Sequence, residues 1–177
     1  TTGGTGPGSN ECDSATVLTV NSNCVNSASS NVDATESSPP PMGWCPENNH
    51  KDVWFSFTMP DVSNPVVTIR TTAGSLSDAV MEVYRGGGCA DLEYISCEDD
   101  GSAMPVISVT GSANETIWVR VWGYAGTTGT FNICVFDYQS NNFAAPDNTD
   151  EAVIDGRPID VVEISDNPIK NNSGPAT

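Results

Sequence analysis

The stretch that decides the fold is Ile117-Trp118-Val119-Arg120-Val121-Trp122. Successive residues of a β-strand point to opposite faces of a sheet, so its isoleucine and valines share one face. The two tryptophans and Arg120 share the other face. A second stretch, Val53-Trp54-Phe55-Ser56-Phe57, alternates in the same way. Both patterns predict strands that direct one apolar face at a hydrophobic core.

Similar strand-like segments, separated by turn signals and without helical patterns between them, occur along most of the chain. The composition agrees with this pattern, because the sequence is rich in Thr, Ser, Asn, Val and Gly and poor in Lys, Arg and Leu. The predicted strands are residues 15–20, 28–36, 52–59, 66–72, 79–85, 94–97, 106–111, 115–122 and 130–138. Short strands at this spacing predict an all-β fold, namely an antiparallel β-sandwich or jelly roll.

The chain divides by composition into three parts. Residues 1–9 are rich in Gly and Thr and are predicted to form a linker or N-terminal extension. Residues 10–138 carry the predicted strands of the sandwich, and residues 139–177 combine a polar linker with an extended tail. Within this tail, residues 159–164 are mostly β-branched and alternate in part, which predicts one further strand.

The balance of charge limits the partners of this protein. Six basic residues stand against 23 acidic ones, which gives a formal net charge of -17. Nucleic acid and anionic membrane surfaces are themselves negatively charged, so we expect neither as a partner. No apolar run in the sequence approaches membrane-spanning length, so membrane insertion is not expected either.

The six cysteines predict disulfide bonds and a secreted, extracellular protein. Their number is even, and none lies in the Cys-x-x-Cys spacing of a metal or redox pair. The spacing favours Cys12–Cys24 and Cys89–Cys97 as local bridges, with Cys45–Cys134 as a long-range bridge. Six cysteines allow many connectivities, so other pairings remain open.

The residues that catalysis would require are scarce. His50 is the single histidine, and no nucleophile elbow accompanies it. The sequence also lacks a Gly-rich phosphate loop and a dinucleotide fingerprint. A zinc site is not expected, because the cysteines are dispersed. We therefore predict a non-catalytic protein without catalytic residues.

A metal site is predicted at the acidic end of residues 86–101, where a glycine turn and two cysteines precede Glu98-Asp99-Asp100. Adjacent carboxylates suit a hard cation with oxygen ligands, above all calcium in a structural role. The alternative is a solvated acidic loop without a bound ion. Further oxygen donors come at the start of the fold and beside two predicted strands. The candidate calcium ligands are Asn10, Glu11, Asp13, Asp52, Asp78, Asp99 and Asp100.

The aromatic face of residues 117–122 allows two interpretations. The rings lie under a loop or a second sheet, or they form an exposed platform on which the flat faces of sugar rings stack. The candidate ligand-binding residues of such a platform are Trp118, Trp122 and Tyr124. A platform would indicate an accessory carbohydrate- or protein-binding module of a larger secreted hydrolase.

Several motifs follow one another in an order that resembles a known type of module. They are Asn10-Glu11-Cys12, Asp52-Val53-Trp54-Phe55-Ser56-Phe57, Val83-Tyr84-Arg85-Gly86, Cys97-Glu98-Asp99-Asp100-Gly101, residues 117–124 and Gly129-Thr130-Phe131-Asn132-Ile133-Cys134-Val135. Over residues 10–138 the chain resembles the pre-peptidase C-terminal β-sandwich, in the variant found in secreted proteins of bacteria with type IX secretion. The resemblance implies a non-catalytic jelly-roll domain, often calcium-bound, that is attached to peptidases or surface adhesins.

The tail contains Val162-Glu163-Ile164-Ser165-Asp166-Asn167-Pro168, which resembles the first strand of a type IX sorting domain, with Ser165-Asp166 in place of the usual Tyr-Pro. A strand beyond a complete sandwich needs a partner, either in its own domain or in another molecule. We predict self-association by strand addition through Ile159, Val161, Val162 and Ile164. The leading functional prediction is therefore a secreted subunit that acts in cell-surface adhesion or builds an extracellular fibre.

Overall fold

The computed structural model describes residues 9–37, 45, 51–99 and 103–137, together with the backbone of residues 153–154 and 157–158. The chain forms two compact units, Thr1–Asn142 and Phe143–Thr177. No helix within the described ranges is both long and apolar enough to cross a membrane.

The first unit is a β-sandwich of two mixed sheets. Its described strands are Thr16–Val17 (β1), Val20–Asn21 (β2), Ser27–Ser30 (β3), Val53–Thr58 (β4), Val66–Ala73 (β5), Ala79–Arg85 (β6), Glu93–Glu98 (β7), Val106–Thr110 (β8), Thr116–Gly123 (β9) and Thr130–Phe136 (β10). The first sheet has the order β1-β4-β9-β6-β7. The second has the order β2-β10-β5-β8, and β3 also pairs with β10. In the second unit, Val153–Ile154 (β11) and Arg157–Pro158 (β12) pair antiparallel.

The inward faces of the two sheets enclose one hydrophobic core. Ile117, Val119 and Val121 of β9 are fully buried in it, because they alternate with residues of the outer face. Phe55 of β4 and Phe131 of β10 meet edge to face across the core, with 6.2 Å between ring centroids. The predicted all-β sandwich is thus confirmed, and both alternating stretches form strands as predicted.

Two predicted segments differ from the observed strands. Residues 15–20 form two short strands, because the chain passes from the first sheet to the second between them and buries Leu18 in the core. Residues 28–36 leave the strand conformation after Ser30, where the backbone turns through Asp33 with a positive φ of 63°. The sandwich also includes Ser9, whose carbonyl accepts the backbone N–H of Trp54 at 2.7 Å.

The three predicted disulfide pairings are wrong. The observed bridges are Cys12–Cys89, Cys24–Cys134 and Cys45–Cys97. Cys89 lies in the turn between β6 and β7, whereas Cys97 lies near the far end of β7. An extended strand rises about 3.3 Å per residue, so these two cysteines are too far apart to join.

The other two predicted pairs fail because their members belong to different sheets. Cys12 lies in a 3₁₀ turn beside β4 of the first sheet, while Cys24 follows β2 of the second sheet. Cys45 packs on the first sheet, and Cys134 belongs to β10 of the second. Sequence spacing does not reveal which sheet a cysteine reaches.

Candidate functional site

The outer face of the first sheet carries a cluster of buried charges. This is the face opposite the core, and alternation along each strand places polar and aromatic side chains on it. Arg120 lies at its centre, because β9 runs between β4 and β6. In the strand register Arg120 is opposite Trp54 on one side and opposite Glu82 on the other. Asp52, directly before β4, completes this ion cluster of Asp52, Glu82 and Arg120.

Arg120 forms two ion pairs in the cluster. Its Nε donates to Asp52 Oδ2 at 2.8 Å, and its Nη1 donates to Glu82 Oε2 at 3.4 Å. The exposed fractions are 2 % for Arg120, 0 % for Asp52 and 1 % for Glu82. A buried ion pair persists only if good geometry and further hydrogen bonds offset the lost hydration of both charges. The other donors around the two carboxylates are therefore essential to the cluster.

Each carboxylate accepts further hydrogen bonds from the chain. Asp52 accepts the backbone N–H of Ser37 at 2.9 Å and also the hydroxyl of Ser37. Glu82 accepts the backbone N–H of Cys45 at 3.0 Å and the hydroxyl of Tyr84. Because Ser37 and Cys45 belong to the connection between β3 and β4, the two carboxylates fasten this connection to the sheet.

Aromatic rings enclose the guanidinium group of Arg120. Its Cζ lies 5.0 Å from the ring centroid of Trp122 and 5.9 Å from that of Trp54. At these distances a cation is attracted to an aromatic ring. The indole Nε1 of Trp54 also donates to Asp52 Oδ2 at 2.9 Å. Ion pairing, hydrogen bonding and cation–π contacts therefore act on the same buried residue.

The environment shifts the titration of two residues at this site. Burial, followed by the charge and hydrogen bond of Glu82, raises the pKa of the Tyr84 hydroxyl well above its usual value. For Arg120, burial lowers the pKa, but the hydrogen bond and charge of Asp52, together with the charge of Glu82, raise it overall. Near neutral pH Tyr84 is therefore uncharged and Arg120 is protonated.

This arrangement suits a structural role better than catalysis. General acid–base catalysis needs a titratable group within hydrogen-bond reach of the substrate. The carboxylates of the ion cluster are occupied by Arg120 and by donors of the chain itself, and neither is more than 1 % exposed. Chemically, the cluster holds the β3–β4 connection in place on the sheet.

The predicted calcium ligands near the N-terminus and at β4 have separate environments. Asp52 belongs to the ion cluster, where Arg120 supplies its counter-charge. The side chain of Asn10 bonds Thr35, accepting its backbone N–H at 2.6 Å and donating to its hydroxyl at 2.8 Å. Glu11 and Asp13 are exposed at the first 3₁₀ turn. The structure does not bring these four residues together around one point, and their role as calcium ligands stays a prediction.

Asp78 and Asp99 are the predicted ligands with the most favourable surroundings for a cation. Asp78 precedes β6 and Asp99 follows β7, and these strands pair antiparallel, so both residues lie at the same end of the hairpin. In each side chain the Oδ1 atom is buried and has no hydrogen-bond partner among the described residues. A buried polar atom normally has a partner. Asp100 lies outside the described residues, and the calcium site stays a prediction.

The predicted aromatic platform is not formed as a set. Trp122 is 1 % exposed and packs with Cys45 and Val80, so its ring offers no face to a ligand. Trp118 is half-buried and donates its Nε1 to the carbonyl of Gly86 at 3.0 Å, while Tyr124 is 43 % exposed. The reason for the burial of Trp122 is Cys45, which packs against it and is joined by a disulfide to Cys97 of β7. The interpretation that the rings lie beneath a loop therefore describes Trp122.

Some predicted residues cannot be compared with the structure. His50 lies outside the described residues, as do the predicted assembly residues Ile159, Val161, Val162 and Ile164. One group of described side chains, Cys45, Glu82 and Cys97, has ligand atoms close enough for a metal ion. The two sulfurs form a disulfide, however, and are not available as thiolate ligands.

Sequence reasoning missed Glu82 and Tyr84 and did not identify Arg120 as the centre of a cluster. A signal was present, because Glu82 and Arg120 are charged residues within otherwise apolar strands. A charge on the non-core face of such a strand, flanked by aromatic residues, indicates that this face is covered as well. Which opposite charge it meets depends on the strand order, which the sequence does not display.

The sequence matches no family model and no curated protein. In fold the chain is weakly similar to the pre-peptidase C-terminal domain of a collagenase from Bacillus anthracis, with 12% identity and a TM-score of 0.45 over 68% of this chain and 93% of that chain. It is also similar to PliG, a periplasmic inhibitor of g-type lysozyme from Aeromonas hydrophila, with 10% identity and a TM-score of 0.41 over 71% and 98% of the two chains. A third similar structure is CorA, a surface-associated copper-binding protein of Methylomicrobium album BG8, with 14% identity and a TM-score of 0.42 over 71% and 98%.

Proposed function

We propose that this chain is a non-catalytic, secreted β-sandwich subunit that acts in adhesion at the cell surface or as the building block of an extracellular fibre. Subunits are joined by strand addition, in which the C-terminal tail of one copy pairs with the sandwich of the next copy. The resemblance of residues 162–168 to a sorting-domain strand adds export by type IX secretion to this proposal.

The observation that carries the proposal is the burial at the centre of the outer face of the first sheet. A catalytic or ligand-binding site built there would need exposed side chains. Instead, Trp54 and Trp122 are each 1 % exposed, and the carboxylates of the ion cluster bond Ser37 and Cys45. Within the described residues, sheet edges and the outer face of the second sheet are left for a partner, and an edge that accepts a strand favours an assembly module.

The disulfides support the secreted part of the proposal. All six cysteines of the chain are paired in three bridges, and no free cysteine is present. Bridges of this kind form and persist in oxidising compartments and are rare in the cytosol.

Deletion of residues 141–177 tests the proposal. The described core and all three disulfides lie between residues 9 and 137, so we expect the shortened chain to fold. Size-exclusion chromatography with light scattering should show concentration-dependent oligomers for the full chain and a monomer for the shortened one. The matched control is a full-length chain with Val161→Asp and Ile164→Asp, which keeps the tail but removes its strand pattern. Oligomers of the shortened chain that equal those of the full chain would contradict the proposal.

A structural calcium ion at Asp78 and Asp99 forms the second part of the proposal. It is supported by the buried Oδ1 atom of each residue, which lacks a partner among the described residues, and by the net charge of -17. An ion that binds only the folded state at about 100 times its Kd stabilises that state by about 2.7 kcal/mol. We expect calcium to raise the Tm of the native chain and EDTA to reverse this rise. The rise in Tm should disappear in the double variant Asp78→Asn with Asp99→Asn and persist in the control Asp61→Asn. A native Tm that calcium does not change would argue against the ion.

A further inference from the structure

The sheet edges of the described sandwich differ in how well they are protected against pairing with another chain. An edge strand presents unpaired backbone N–H and C=O groups, and proteins blunt such edges with charges, bulges or very short strands. At one side of the sandwich the edges are short, since β1 and β2 have two residues each and β3 has four. These edges offer little backbone to an incoming strand.

The edge strand β7 is protected in a different way. It carries Glu93 and Glu98 at its ends, and its pairing with β6 is interrupted by a bulge at Val83 and Tyr84. Near its end, Cys97 is tied to the β3–β4 connection. Charges and a bulge are two of the devices that prevent edge-to-edge pairing.

Strand β8 has none of these protections. It reads Val106-Ile107-Ser108-Val109-Thr110, without a charged residue, proline or glycine, in a chain whose net charge is -17. Four of its five residues are β-branched, which favours the strand conformation. Among the described strands it pairs with β5 alone. The pairing runs from Val66 opposite Thr110 to Arg70 opposite Val106 without a register shift. The result is one regular, uncharged edge.

The hydrogen-bond register shows which backbone groups of β8 face outward. Thr71 N donates to Pro105 O at 3.1 Å, and Gly111 N donates to Pro65 O at 3.2 Å. Bonded positions alternate in an antiparallel ladder, so residues 105, 107, 109 and 111 face β5. Residues 106, 108 and 110 therefore direct their N–H and C=O groups away from the sheet.

The side chains of β8 complete a surface suited to an added strand. Ile107 and Val109 are buried in the core, whereas Val106 is 45 % exposed and Ser108 and Thr110 are exposed. On the outer face the neighbouring strand contributes Val66, which is 38 % exposed, opposite Thr110. An added strand would bury these apolar side chains and would pair with the backbone groups of residues 106, 108 and 110, which face away from β5.

We propose that β8 is the acceptor edge for the C-terminal tail of a second copy of this chain, which takes residues 159–164 as an additional strand of the second sheet. This inference rests on the proposed function, because it supplies the surface that receives the tail. The charges agree with this choice of edge. The donor contains Asp160 and Glu163, and β8 has no carboxylate, while Arg70 of β5 is opposite Val106. On β7 the same donor would meet two glutamates.

The variant that tests the acceptor is Ser108→Glu, which places a negative charge on the exposed side of β8. We expect it to weaken self-association about tenfold or more, because a charge on an edge strand disfavours pairing and this charge repels Asp160 and Glu163 of the donor. The matched control is Ser63→Glu, which makes the same charge change at an exposed loop residue and should assemble as the native chain does. Since both variants change the net charge equally, general repulsion cannot explain a loss seen at Ser108 alone. Thr110→Glu repeats the test if Ser108→Glu does not fold.

A mixing experiment separates the acceptor from the tail. The chain lacking residues 141–177 keeps the acceptor, and full-length Ser108→Glu keeps the donor tail. Each should be monomeric alone, and the mixture should give a one-to-one heterodimer and nothing larger in light scattering.

Three other outcomes overturn the inference and differ from one another. If Ser108→Glu assembles normally while tail deletion abolishes assembly, β8 is not the acceptor and the proposed function survives. If tail deletion has no effect while Ser108→Glu abolishes assembly, β8 pairs with another β8 and not with the tail. If the native full chain stays monomeric at every concentration, the proposed function fails together with its acceptor.

Discussion

Replacement of Arg120 by methionine tests whether the ion cluster holds the outer face of the sandwich together. Methionine keeps much of the unbranched stem and removes the charge. The change leaves Asp52 and Glu82, which are 0 % and 1 % exposed, without their cation. It also removes the cation–π contacts with Trp54 and Trp122.

The expected loss is about 3–5 kcal/mol of unfolding free energy at pH 7, the usual cost of removing one partner of a buried ion pair. Asp52 still accepts hydrogen bonds from Ser37 and Trp54, and Glu82 still accepts them from Cys45 and Tyr84. These donors bring no positive charge into the buried site, so they offset only part of the loss.

Urea unfolding with intact disulfides, followed by tryptophan fluorescence and circular dichroism, measures this loss. The control is Arg85→Met, which breaks the half-exposed ion pair between Arg85 Nη1 and Glu115 Oε1 at 3.5 Å. Such a surface pair contributes about 0.2–1 kcal/mol. A loss below about 1 kcal/mol for Arg120→Met would refute the reasoning.

Three further changes probe the same framework by urea unfolding. Because the pKa of Tyr84 is raised in the folded state, its contribution to stability is present below the unfolded tyrosine pKa of about 10. As the pH rises beyond that value, the unfolding free energy should fall by up to about 1.4 kcal/mol per pH unit. Tyr84→Phe should flatten this fall, and a variant whose unfolding free energy falls as steeply as that of the native protein would speak against it. The double change Cys45→Ser with Cys97→Ser removes a bridge with a sequence separation of 52, so we expect a loss of about 2–4 kcal/mol of unfolding free energy. The tryptophans should also become more accessible to fluorescence quenchers. Unchanged quenching would be inconsistent with a connection that the bridge holds in place. Gly86 has a φ of 149°, and in Gly86→Ala the new Cβ would lie 2.6 Å from the backbone oxygen of Asp91, so we expect a loss of about 1–3 kcal/mol of unfolding free energy. The control is Gly88→Ala, whose new Cβ would have its nearest contact at 3.8 Å and which should lose less stability.

The strands of the sandwich were predictable because their information is local. Alternation at β4 and β9 placed the core-facing side chains correctly, since a residue and its second neighbour share a face wherever the strand ends up. Prediction was poorer at β1 and β2, where the chain changes sheets within a run of residues that looks like one strand. The pattern there indicates burial, but it does not indicate in which sheet.

The disulfides and the ion cluster were not predictable for the same physical reason. Arg120 meets Glu82 because β9 lies next to β6, although the two residues are 38 positions apart in sequence. Cys97 reaches Cys45 because Cys97 and Glu82 are opposite each other on β7 and β6, and Cys45 lies above that face. Contacts of this kind follow from strand order, and strand order is a property of the whole chain.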